Sequence, residues 1–302
     1  MPWNPFALPD QTGRAHVVTG ATAGIGYFAA EQLAAAGATV VLAGRSAERL
    51  DRARASILRQ VPGAQVRAVR MDLASLASVR DAADELGDHG RLDGIFLNGG
   101  AMSAGPMTED GLPLLLATHA IAGVALVERL LLTLSDGAAP DAPVRIVHAS
   151  TGFVRRFPRD VDDVLARQRG FVRGYTHAKT VTELYAYDLD RRFRADGVAI
   201  SSIVAHPGIG VDARTPAREG VYDPRTQRRR NPFTPWAQGK DAAAWPALRA
   251  LTDPDISGGT YLGPVNGRRG VPILLEPLTH TAHPDPVRMA RVRTQLLELA
   301  AS

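Results

Sequence analysis

Short β-branched runs alternate along the chain with longer segments whose apolar residues recur at helical spacing. The runs at residues 16–19, 38–43, 66–71 and 94–97 read as strands. Each precedes a helical stretch: one through residue 36, then 47–60, then 76–86, then a long apolar helix from about residue 109 to 134. Residues 145–149 give a fifth strand, 175–194 a helix and 198–205 a sixth strand, with a weaker seventh at 260–262. Repeated strand–helix crossovers imply a parallel sheet, because parallel neighbours need a long connection. The expectation is one α/β domain over residues 1–302, doubly wound and Rossmann-type, with a mostly parallel seven-stranded sheet.

Beyond Pro207 the alternation breaks. Residues 209–236 carry Pro216, Pro224, Pro232 and Pro235, many arginines and no periodicity. They read as a long loop over the carboxyl edge of the sheet, where such loops serve as substrate lids. A C-terminal extension, residues 270–302, offers a strand-like stretch at 271–275 and a helix at 286–299.

Composition narrows the function classes. The chain has 302 residues, 45% hydrophobic and 22% charged, as expected of a globular protein able to bury a sizeable core. The net charge is +4, and its sharpest concentration, Arg225, Arg228, Arg229 and Arg230, lacks aromatic interleaving or a nucleic-acid motif. No nucleic-acid partner is expected. The absence of cysteine excludes disulfides, thiolate zinc sites and cysteine nucleophiles. His280 and His283 run into Pro284 with no further ligand beside them, so no metal is expected. The first ten residues have neither a basic nor a continuous apolar region of the export type, which points to the cytoplasm. The stretch 112–134 is apolar enough to raise a membrane span, but His119, Glu128 and Arg129 interrupt it, and a buried helix is the better reading.

Two patterns carry chemistry. Between the first strand and its helix lies Thr19-Gly20-Ala21-Thr22-Ala23-Gly24-Ile25-Gly26, a glycine-rich turn whose backbone N–H groups and helix dipole suit a pyrophosphate. Far downstream, Tyr175 and Lys179 stand four apart, on one helix face, where an ammonium held beside a phenol favours its ionised form. Together they imply dinucleotide-dependent redox chemistry. The glycine spacing differs from the general G-x-G-x-x-G fingerprint and would be weak evidence alone, since a tight turn uses the same residues.

With these motifs the chain resembles the short-chain dehydrogenase/reductase family, whose cofactor turn is T-G-x-x-x-G-x-G and whose active-site pair is Y-x-x-x-K. Asp72-Leu73, Asn98-Gly99-Gly100, Ser150-Thr151 and Pro207-Gly208 fall after successive strands, where doubly wound folds bind ligands. The resemblance, closest in pattern to the retinol-dehydrogenase-like branch, implies that Gly20, Thr22, Ala23, Gly24, Ile25 and Gly26 hold the cofactor phosphates. It implies that Asp72 and Leu73 bracket the adenine, that Asn98, Gly99 and Gly100 line the cleft, and that Pro207 and Gly208 border the nicotinamide. Asp72 as a helix cap and Asn98 as a strand end are the plainer alternatives. The second strand ends in Gly44-Arg45-Ser46 with no acid to hold a ribose 2′-hydroxyl, whereas Arg45 offers a guanidinium to a 2′-phosphate; NADP(H) is favoured over NAD(H).

The resemblance also assigns roles. Tyr175 is the proton donor, Lys179 lowers its pKa and holds the nicotinamide ribose, and Thr151 occupies the position of the family's catalytic serine. Ser150 replaces it if the strand end shifts by one residue. His119 stands where the family has an asparagine that holds a water chain; it either holds the same water or is a core histidine. The implied function is interconversion of a carbonyl and an alcohol on a lipophilic small molecule. A cofactor-binding sensor with weakened catalysis, or an isomerase or dehydratase on the same fold, are the rivals. The family's four-helix association, with the breadth of the long apolar helix, suggests a homodimer.

Overall fold

The computed structural model describes residues 3–139, 142–222 and 233–302. The arginines at 225–230 and two of the prolines expected in the lid therefore lie outside the described residues. In chain order the elements are β1 (Ala15–Thr19), α1 (Gly24–Ala35), β2 (Thr39–Gly44), α2 (Ala47–Gln60), β3 (Val66–Arg70), α3 (Leu76–Asp88) and β4 (Gly94–Leu97). A continuous helix follows, made of α4 (Leu114–Leu116), a π-helical turn (Ala117–Ile121) and α5 (Ala122–Gly137). Next come β5 (Val144–Ala149), α6 (Gly152–Arg156), α7 (Phe171–Ala195), β6 (Ile200–Ala205), α8 (Lys240–Ala243) and α9 (Trp245–Thr252). The chain finishes with β7 (Tyr261–Pro264), β8 (Pro272–Leu275), α10 (Thr279–Ala282) and α11 (Pro286–Ala301).

The sheet runs β3-β2-β1-β4-β5-β6-β7-β8, with every pair parallel except β7 with β8. The order reverses between β1 and β4, and ligands of doubly wound sheets bind beyond the strand ends at such a point. The count is eight strands, not the seven expected from the sequence. The extra one is the strand-like stretch after Gly270, joined to β7 by a turn too short for a crossover and so forced antiparallel. In that turn Val265 donates to the Val271 carbonyl at 3.0 Å, and Gly267 and Gly270 take positive φ.

Apolar strands bury both faces. One is packed by α3, α5, α7 and α11, the other by α1, α2 and α9. The long helix starts at Leu114, later than expected, because residues 108–111 form a turn in which Gly111 takes φ +73°. Its span Leu114–Gly137 is the one helix among the described residues long and apolar enough to cross a membrane; 67% of its most apolar stretch is buried in the fold.

The apolar breadth that suggested a homodimer has another explanation. The C-terminal helix α11 lays Met289, Val292, Leu296 and Ala300 into the core beside α5 and α7. Within one copy every residue of α7 from Thr176 to Asp190 is buried. Part of the surface expected to meet a second subunit is thus covered within one copy by the chain's own extension.

Candidate active site

The glycine turn is built by close approach. A side chain at Gly20 would meet Gly99 Cα at 2.7 Å, and one at Gly26 would meet the Asn98 side chain and the Gly20 carbonyl at 2.6 Å. The ends of β1 and β4 are therefore pressed together. Thr19 ties them, its Oγ1 accepting from the backbone N–H of Asn98 at 3.0 Å and of Gly99 at 2.9 Å. Asn98 returns its amide to the Thr19 carbonyl at 3.1 Å, so it serves the turn itself. Gly24, the first residue of α1, has φ +63°. The N-terminus of α1 carries no side-chain cap and no acid in its first turn, which leaves its N–H groups and dipole available for an anion. Thr22, Ala23 and Ile25 fill this turn, and Ile25 shares a narrow cleft with Asn98, Ala149 and Pro207. These residues fit a dinucleotide pyrophosphate.

The other expected cofactor residues gather around the same edge. Arg45 is exposed, and Ser46 caps α2 by accepting from the Arg49 N–H at 3.3 Å. Asp72 accepts from the Ala74 N–H at 3.0 Å, while Ser75 is the cap of α3. Leu73 packs where a side chain on Gly99 would sit. Pro207 accepts from Gln238 at 2.9 Å, and Gly208, at φ +69°, leaves room for the Arg268 carbonyl.

Beside this cleft, α7 presents Tyr175, Lys179 and Glu183 at successive helical turns. Burial pushes the Tyr175 phenol up, and the neighbouring Thr151 hydroxyl works against it. Lys179, 2% exposed, donates to the Ala149 carbonyl at 2.6 Å; burial lowers its pKa to about 7, with the Glu183 charge opposing. The Thr151 hydroxyl thus acts on the phenol directly. Thr151 also caps α6, accepting from the Phe153 N–H at 3.4 Å. Ser150 is buried and donates to the Glu183 carboxylate. The strand register therefore turns Ser150 inward and Thr151 toward Tyr175.

His119 lies in the π-helical turn, a local widening that recurs at functional sites. Its ring crosses that of Tyr175 nearly at right angles, 5.0 Å between centroids, and packs on Gly100, where a side chain would overlap it. Nε2 donates to the Ala101 carbonyl at 2.8 Å, which leaves Nδ1 an acceptor without a protein partner among the described residues. Burial first and the Lys179 charge second lower its pKa to about 3. The ring stays neutral near pH 7, suited to holding a water rather than taking a proton itself.

The sequence reading missed Glu183, which the four-residue stride from Tyr175 through Lys179 could have flagged. It is fully buried, accepts from Ser150 and from Thr281 of α10 at 2.9 Å, and burial raises its pKa to about 7. It joins β5, α7 and the C-terminal extension beneath the site.

The chain is similar to known proteins of one family. The short chain dehydrogenase family matches residues 14–115. Polyprenol dehydrogenase of Mus musculus is 32% identical over 267 residues, spanning 86% of this chain and 78% of that protein. Retinol dehydrogenase 13 of Homo sapiens is 32% identical over 201 residues, 65% of this chain and 59% of its own. A crystal structure of an uncharacterised Mycobacterium paratuberculosis protein superposes with a TM-score of 0.77 at 25% identity, covering 100% of this chain and 98% of that one. The match runs through the glycine turn and, in the full-length relatives, on past the α7 stripe, and by it the chain belongs to the short-chain dehydrogenase/reductase family of oxidoreductases.

Proposed function

We propose that this chain is an NADP(H)-dependent oxidoreductase that interconverts a carbonyl and an alcohol on a lipophilic small molecule, with Tyr175 as the acid/base. The observation that carries the reading is the Thr151 hydroxyl bonded to the Tyr175 phenol, with Lys179 one helical turn on and donating to Ala149, which shares a cleft with Ile25 of the glycine turn. Bound there, the nicotinamide supplies or accepts the hydride. Thr151 polarises the carbonyl oxygen, Tyr175 delivers a proton to the developing alkoxide, and neutral His119 holds a water through Nδ1. Lys179, which donates one N–H to Ala149, has further N–H donors that would serve the cofactor ribose.

Two features support the finer assignments. Arg45 is exposed just after β2, and the sequence Gly44-Arg45-Ser46 there has no acid for a 2′-hydroxyl, which favours a 2′-phosphate. Phe171 stacks on Tyr175 at 5.6 Å, and Phe153 meets it edge-on at 6.3 Å with Phe157 6.0 Å beyond, an apolar wall 40–43% exposed at the two outer rings. The names of the relatives, a polyprenol and a retinol dehydrogenase, fit such a wall. A panel of apolar aldehydes and ketones followed by NADPH absorbance tests the reading. Tyr175→Phe should lower turnover on the best of them by roughly 10² to 10⁴ while cofactor affinity stays near wild type. Wild-type turnover in that variant would remove the tyrosine from the role.

A further inference from the structure

The segment after β6 returns across the mouth of the glycine turn. Val211 donates to Gln238 and Gln238 to Ile209, each at 2.9 Å, so the two ends of the lid are paired like short parallel strands. Gln238 also binds the Pro207 carbonyl and accepts from the Gly270 N–H at 2.9 Å. This frame fixes Lys240, whose own N–H donates to Thr215 Oγ1 at 3.0 Å. Its Cδ lies 3.7 Å from where a side chain at Gly24 would begin, and beyond the glycine's chain neighbours and its own helix backbone no other described residue comes within 4 Å of that point. The ammonium is 2.5 Å from the Asp212 carboxylate, both side chains about a third exposed.

A pyrophosphate at the N-terminus of α1 brings two negative charges to a place where the helix supplies only about half a positive one. It also arrives next to Asp212. We propose that Lys240, the first residue of α8 just after the lid, is a phosphate-binding residue that exchanges its Asp212 partner for the dinucleotide pyrophosphate, so that Asp212 competes with the cofactor. The proposal rests on the glycine turn taking a dinucleotide, and holds for NADPH and NADH alike because both carry the same pyrophosphate.

Affinities of NADPH, NADH, ADP-ribose and adenosine 2′-phosphate, titrated by tryptophan fluorescence, test it without turnover. Lys240→Gln should weaken the first three about tenfold and leave adenosine 2′-phosphate, which lacks a pyrophosphate, unchanged. Lys240→Arg should recover most of the loss. Asp212→Asn should tighten the three ligands, since it frees the ammonium and removes a repelling charge. If Asp212→Asn instead weakens them as Lys240→Gln does, the pair merely holds the lid and the proposal is overturned. It is equally overturned if neither substitution changes any affinity. Wild-type protein that binds none of the dinucleotides would reject the proposed function itself, a different result from either.

Discussion

Replacing Glu183 with Gln should change how stability depends on pH, with a sign fixed by burial. The carboxyl is 0% exposed and its pKa rises from 4.5 to about 7, burial being the largest cause, with Ser150 and Thr281 hydrogen bonds opposing. A folded pKa above the unfolded one means that the folded state holds the proton more tightly. This contribution is complete below 4.5 and lost as the pH rises through 7. At about 1.4 kcal/mol per unit the loss is roughly 3 kcal/mol. Glutamine keeps the shape, accepts one hydroxyl, donates to the other and does not titrate. Lys179 adds to the difference: without the Glu183 charge its ammonium is lost at a still lower pH, which favours the variant as pH rises. The phenols coupled to Glu183, Tyr187 and Tyr261, keep their protons throughout, since burial pushes both well up. Urea unfolding of both proteins between about pH 5 and pH 8 should show Glu183→Gln gaining on wild type by up to ~3 kcal/mol. Parallel pH dependences would refute the buried-carboxyl argument.

Other outcomes follow from the same geometry. His16 and His206 are held neutral with pKa values lowered to about 4, and His119 and His148 to about 3, mainly by burial. Their contribution is present above 6.5 and lost as pH falls through those values, so circular dichroism should record cooperative acid unfolding well above pH 3. Thr151→Ser should retain turnover and Thr151→Val should lose it by roughly 10² or more, with Ser150→Ala doing far less; the reverse ranking in steady-state assays would move the catalytic hydroxyl to Ser150. Leu296, fully buried on α11, should cost about 2–5 kcal/mol when changed to Ala, measured by chemical denaturation, whereas exposed Leu132 should cost under about 1.

The chain by itself determined its alternation of strands and helices, and with it the doubly wound sheet, because a buried parallel strand and an amphipathic helix leave different periods in the sequence. It also determined the glycine turn and the Tyr175–Lys179 pair, since both depend on residues close together, where local geometry is fixed by spacing. Contacts between distant segments were decided only by the tertiary structure. Nothing near Thr281 in sequence announces that it will hydrogen-bond Glu183, 98 residues away. The breadth of the long helix suggested a surface for a second copy, and only the tertiary structure put α11 against part of it, because an apolar face records that it is covered and not by what. The orientation of Ser150 and Thr151 had the same character. Adjacent residues at a strand end point to opposite sides, and which side faces Tyr175 depends on a hydrogen bond to the Glu183 carboxylate two turns further along the tyrosine's own helix. Burial, likewise invisible along the chain, is what holds His119 neutral and pushes Tyr175 upward against the Thr151 hydroxyl.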